Sequence, residues 1–388
     1  MLDVAYSSAC NGCHACYATC PTAAIRMKEN AEGFLFPVID VAKCISCGKC
    51  ELVCPVLHPP VLRENAPKTY ACRNKNDLIR LESSSGGIFT LLAEKIVAED
   101  GVVFGAKFRD DFSVIHDWTD SVEGIASFRT SKYVQSTIGD TFSVCKQFLE
   151  KGRKVLFSGT PCQIAGLKAF LGKDFDSLFY VDLICHGVPS PTLWKKYVAY
   201  HEAQSGSRIV RTSFRRKDFG WKRFSLSFFF ANGSEYLKTL DKDPYMQMFL
   251  RNLCLRPSCF ECSFKTISRI SDITLADFWN VEHVLPDLDD DTGTSLVFVH
   301  SPKGNDMMAS IFNNVACVPV QTESVVRFNS AMIKSAVRPA KRERFFTDMQ
   351  KMPFSKFIKV YSKDKFYIRL YTFVHCRIGK IKHRVIGK

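Results

Sequence analysis

Two short runs limit what this chain can become. CNGCHACYATCP sets Cys10, Cys13, Cys16 and Cys20 ahead of Pro21, and CISCGKCELVCP sets Cys44, Cys47, Cys50 and Cys54 ahead of Pro55. Both follow the spacing C-x2-C-x2-C-x3-C-P. Three thiolates this close in sequence wrap one cubane, and the fourth is directed to the other cubane. The spacing therefore predicts two [4Fe–4S] clusters with crossed ligation. Cys10, Cys13, Cys16 and Cys54 hold one, and Cys44, Cys47, Cys50 and Cys20 hold the other. Structural zinc takes four ligands per site and commonly two C-x2-C pairs, so it leaves the third cysteine and the repeated C-P ending unexplained. His14 reads as a loop residue beside the first cluster.

The other cysteines belong to the same argument. Seventeen cysteines in 388 residues would suggest disulfides in an exported chain. MLDVAYSSAC lacks the basic end and apolar stretch of a secretory signal, so a reducing cytoplasm and metal or redox roles are expected. No apolar run approaches the ~18 residues of a membrane span. Net charge is +14, but residues 338–388 hold 15 Lys and Arg against 3 Asp and Glu, leaving 38 against 36 in residues 1–337. A nearly neutral body argues against nucleic-acid binding. In the tail, KFYIRLYTFVHCRIGKIKHR (365–384) sets apolar residues at helical spacing among basic ones. The pattern suits either peripheral contact with an anionic membrane face or a helix packed on the body.

Beyond the cysteine-dense residues 1–56 and a proline-bearing linker, 57–68, the texture becomes α/β. VVFGAKF, KVLFSG, LFYVDLI, ITLADFW, SLVFVHS and VACVPV read as strands, and IFTLLAEKIVAED and TPCQIAGLKAFLG as helices. FSLSFFF-ANGS-EYLKTL reads as a hairpin turning at Asn232-Gly233. The expected fold is mixed α/β: a small two-cluster ferredoxin-like domain, a larger α/β domain over 69–337, and a basic amphipathic tail over 338–388.

Cys162 and Cys185 each follow a predicted strand, where parallel α/β sheets gather their ligands. Cys259 and Cys262, in RPSCFECSF, are half of a metal site, and Cys254 is a rival ligand. From spacing alone Cys162 and Cys185 could equally be small core residues. Cys72, Cys145, Cys317 and Cys376 read as core cysteines without partners. GTPCQ, DLICHGVPS, CFEC and SDITLADFW, in that order behind the double ferredoxin run, resemble the coenzyme F-420 hydrogenase/dehydrogenase beta-subunit family of iron–sulfur flavoproteins. The resemblance runs to about residue 337. It implies a third [4Fe–4S] cluster on Cys162, Cys185, Cys259 and Cys262, beside FAD.

A flavin suits such a chain because it exchanges electrons singly or in pairs. Neither G-x-G-x-x-G nor a P-loop is present. SSSGG ahead of a helix is the best anion site. The resemblance implies FAD contacts at Gly86 and Gly87, with Ser85 standing where the family commonly has an acidic residue. RTSKYVQS is similar to the family's G-T-K-Y segment, which adds Ser131, Lys132 and Tyr133, with Lys132 near the reduced isoalloxazine. Asn280, Thr294 and Ser295 are further pocket candidates. His186 is expected to tune the third cluster or cap a turn, and Asp272 and Asp277 to satisfy loop N–H groups. No catalytic residue is assigned. The expected activity is that of a flavin-dependent oxidoreductase linking a low-potential one-electron carrier, protein or small molecule, to a hydride-accepting substrate. Some family members are encoded with polysaccharide-assembly enzymes, which suggests a saccharide-pathway substrate by analogy. The alternative is a non-catalytic electron-transfer subunit docked on another enzyme.

Overall fold

The computed structural model describes residues 8–64 and 66–362. Each cysteine run is bent by two left-handed residues at matching offsets: Gly12 and His14 (φ 69° and 67°) in the first, Ser46 and Gly48 (φ 52° and 71°) in the second. Glycine takes this conformation without a Cβ penalty, and each run supplies one, at alternate positions. Short helices follow, Ala15–Thr19 and Lys49–Leu52, and between the runs β1 (Ile25–Glu29) pairs antiparallel with β2 (Leu35–Ile39).

The apolar runs form strands. In chain order these are β3 (Lys68–Asn74), β4 (Val102–Phe108), β5 (Val114–Thr119), β6 (Val155–Gly159) and β7 (Leu178–Leu183). Next come β8 (Ile209–Arg216), β9 (Ser225–Phe230), β10 (Glu235–Thr239), β11 (Ile273–Asp277), β12 (Ser295–Val299) and β13 (Val315–Val320). Eight make one sheet in the order β13-β3-β12-β11-β7-β6-β4-β5. Its centre, β4, β6, β7 and β11, is parallel, so the ends at Phe108, Gly159, Leu183 and Asp277 share one edge. Helices cover both faces, because successive residues of a strand point to opposite sides. Val103 and Leu156 pack with Leu92 of the helix Ile88–Ala98, whereas Val102 and Val155 pack with Ile164 of the helix Pro161–Leu171.

A second sheet, β10-β9-β8, contains the expected hairpin, with Gly233 at φ 83° in the turn. Its core includes Phe345, Phe346 and Phe357, from the helices Arg342–Lys351 and Phe354–Ser362. The basic segment expected as a tail from residue 338 is therefore, through residue 362, a packed part of the body: two apolar faces outweigh the surface charge. The amphipathic pattern of 365–384 and Cys376 lie outside the described residues. Among the described residues no helix is long and apolar enough to cross a membrane.

The cysteine-rich segment is fastened to the body. Arg342 Nη1 donates to Glu32 Oε1 at 2.8 Å, Tyr17 Oη donates to Asp140 at 2.9 Å, and Arg63 of the linker pairs with Asp272 at 3.2 Å. A Cβ on Gly166 would lie 2.8 Å from Cys13 Cβ, so the helix Pro161–Leu171 presses directly on the first cysteine run.

Candidate functional site

Cys10, Cys13, Cys16 and Cys54 line one small cavity, as crossed ligation requires. Burial first, then the neighbouring Cys10 and Cys54, pushes the Cys16 thiol up to about 12. Crowded, desolvated thiols resist ionisation until a cation gathers them. Cys50 is raised by burial and by groups that include Cys20, the cysteine assigned with it. Cys47 is exposed, so the second group is nearer the surface than the first. Among the described residues no three His, Cys, Asp or Glu side chains close on one point as a single ion needs. A cubane asks for a wider ring, with one thiolate per iron.

The four later cysteines meet at the parallel edge of the large sheet, where all of them line one cavity of about 790 Å³. Cys162 begins the helix Pro161–Leu171, whose first turn is fixed by reciprocal Thr160 and Gln163 capping bonds. Cys185 follows β7, and Cys259 and Cys262 flank the end of the short turn Pro257–Glu261. Burial, and then the nearby Cys185, pushes Cys259 up to about 12. Cys13 feels both its own run and Cys162, which brings the first and third groups within electrostatic reach. Cys254 is fully buried in an apolar cluster and does not line the cavity.

The same cavity receives Ser84, Ser85, Gly87, Ser131, Lys132 and Tyr133. Gly87 (φ 77°) caps the helix Ile88–Ala98. Gly86 departs from the expectation. It does not line the cavity, and a Cβ there would lie 2.4 Å from the Cys72 carbonyl, so packing on β3 already demands glycine. Its N–H donates to Ser295 Oγ at 2.9 Å. Ser84 Oγ accepts from the Ser131 N–H at 2.6 Å and joins the two expected segments. Lys132 donates to the Arg129 carbonyl at 2.7 Å, and burial draws it down to about 7.

Several lining residues carry no signal in the sequence. Arg215 on β8 grips Asp277 through two bonds of 2.9 and 3.2 Å, and donates to Ser84 O at 2.8 Å and to Tyr133 Oη at 3.0 Å. Asp277 is thus the half-buried partner of a buried arginine and not a loop cap. Trp279 stacks on Trp221 with centroids 4.9 Å apart. Lys217, behind the serine loop, donates to the carbonyls of Arg80, Ser85 and Thr292 at 2.7–3.0 Å. No spacing rule signals a single arginine in a strand. Asp272 is structural as expected, accepting from Tyr180 N and Ser301 Oγ. His186 bonds Asn252 at 2.6 Å. Thr294 donates to Leu288 O, and Asn280 takes a left-handed turn position, so neither side chain is shown on the cavity wall. Cys72 and Cys317 are not partnerless: β3 and β13 set them opposite each other, with sulfurs 3.0 Å apart.

Two segments of the chain match known protein families. Residues 152–322 match the family described as the C terminus of the coenzyme F420 hydrogenase/dehydrogenase beta subunit, and residues 9–57 match the 4Fe-4S dicluster domain. Residues 152–322 belong to that beta-subunit family. A comparison with curated proteins finds no match. A chain in a solved structure of the F420-reducing [NiFe] hydrogenase complex from Methanosarcina barkeri aligns at 18% identity and a TM-score of 0.49, over 76% of this chain and 95% of its own length. The beta-subunit segment contains the four later cysteines, Arg215 and Asp277, whereas the serine loop and Lys132 lie between the two matched regions. The chain is thus an iron–sulfur, oxidoreductase-related electron-transfer protein.

Proposed function

We propose that this protein is an iron–sulfur flavoprotein oxidoreductase with three [4Fe–4S] clusters and FAD. When bound, the clusters supply one-electron steps and the flavin couples them to a two-electron reaction. Cys10, Cys13, Cys16 and Cys54 hold the first cluster, Cys44, Cys47, Cys50 and Cys20 the second, and Cys162, Cys185, Cys259 and Cys262 the third. The free N–H groups at the start of the helix Ile88–Ala98, with Ser84 and Ser85, receive the phosphates. Lys132 and Arg215 supply positive charge to the cavity, and Lys217 clamps the serine loop. The observation that carries the reading is continuity: Cys47 is exposed, Cys13 packs against Gly166 of the helix that carries Cys162, and Cys162 opens on the cavity.

Ile45 and Leu52 of the second cysteine run, with Val41 just before it, are 64%, 69% and 70% exposed, and this favours a docking protein as the one-electron donor or acceptor. Anaerobic purification with iron, sulfide and flavin analysis tests the proposal. About twelve irons per chain and one flavin are expected, with about eight irons after Cys162→Ser. Colourless protein, or protein carrying only zinc, refutes it.

A further inference from the structure

Arg256 is 0% exposed, yet among the described residues no carboxylate pairs with it. Its Nε donates to Cys10 O at 2.8 Å, Nη1 to Gln135 Oε1 at 3.0 Å, and Nη2 to Leu35 O at 3.0 Å. Nη2 also points at Cys10 Sγ, 3.6 Å away. Phe36 and Phe34 close over the guanidinium at 4.2 and 5.5 Å. A dry, unpaired guanidinium is costly to keep in a protein interior. The geometry leaves one counter-anion for it: the group carried by Cys10 and its partners.

We infer that Arg256 is the buried counter-cation of the first cluster and holds its reduction potential up. This rests on the cluster assignment proposed above. Reduction adds one electron, and so one negative charge, next to a fixed cation in a low-dielectric site. Hydrogen bonds and charge near the sulfurs set cluster potentials. The second run has Lys49 between its cysteines and Lys43 just before Cys44, both exposed, where water screens them. An electron entering at the exposed second group is therefore drawn inward, to the cluster whose Cys13 packs against the helix Pro161–Leu171, which carries Cys162.

The test is an EPR-monitored redox titration of anaerobically purified full-length variants, normalised to iron. Arg256→Met removes the charge and keeps the stem. Gln135→Glu sets a carboxylate on Arg256 and neutralises it in place, at the loss of the Gln135 bond to Asn11 O. Both are expected to lower one midpoint most, by at least tenfold in the reduction equilibrium, about 59 mV for one electron. Arg256→Lys, which keeps the charge, stays closer to wild type. If Arg256→Met loads no iron, Gln135→Glu decides. Unchanged midpoints in iron-replete Arg256→Met and Gln135→Glu overturn the inference, and so does an equal drop in Lys and Met variants. Wild-type protein without cubanes would instead overturn the cluster assignment itself.

Discussion

Arg215→Met should be among the most damaging single changes in the cavity wall. The arginine is 2% exposed, and its partner Asp277 keeps a side chain only 19% exposed. The substitution deletes two bonds to Asp277, one to Ser84 O and one to Tyr133 Oη. It leaves the Asp277 carboxylate with the Trp221 indole N–H, 3.1 Å away, as its remaining side-chain donor. Breaking one side of a buried ion pair costs about 3–5 kcal/mol, most of it from the charge left behind. Asp277→Asn strands the arginine and should cost a similar amount. The double variant has no stranded charge, so it should lose only about 1–3 kcal/mol through its unmade hydrogen bonds. The coupling is then about 3 kcal/mol or more, well above the ~0.5 kcal/mol at which distant sites simply add. Urea unfolding at matched cofactor loading, followed by the fluorescence of the stacked Trp221 and Trp279, measures it. Additive single-variant losses would show that the pair is not the unit described here.

Other expectations follow from groups outside the cavity. Asp243, fully buried as the cap of the helix Pro244–Leu250, is raised by burial from 3.8 to about 6. The folded chain then binds its proton more readily than the unfolded one, so this residue's contribution to stability is fully present below 3.8 and is lost as pH climbs to about 6. That loss is on the order of 3 kcal/mol. Asp243→Asn, which can still accept from Met246 N, should flatten the urea midpoint across that interval, and an unchanged slope would contradict the assignment. Cys72 and Cys317 should join when a small disulfide accepts their two electrons and two protons: Cys317, partly exposed, attacks first and Cys72 resolves the mixed disulfide. Trypsin should then release Thr69–Arg73 cross-linked to Gly304–Arg327, two hydrogens lighter than the separate peptides, and a map without that species would rule the pair out.

The strands could be read because each is a short apolar run bounded by turn residues, as in VLFSG before Thr160 and SLVFV after Thr294. Both parts of the fold class follow from such runs and from the two cysteine repeats. The serine loop is legible as a helix start, but the position of Gly86 beside it suggests a ligand contact where its neighbour is the backbone of β3. Cys72 and Cys317 looked partnerless because 244 residues separate them in sequence, and only the β3–β13 register sets them side by side. Arg256 stands three residues before Cys259, in a segment already singled out, yet nothing in RPSCFECSF says that its guanidinium crosses to Cys10.

By itself the sequence determined the chemistry of the cysteine runs, since a few residues of spacer decide how thiolates can share a cubane. It also determined the alternation that builds a central parallel sheet. Tertiary structure alone decided which isolated side chains meet: Arg215 with Asp277, Arg256 with Cys10, and Lys217 with three carbonyls. The reason is physical. Ligand spacing and strand pattern are properties of adjacent residues, whereas a buried charge finds its partner through the packing of elements far apart in the chain.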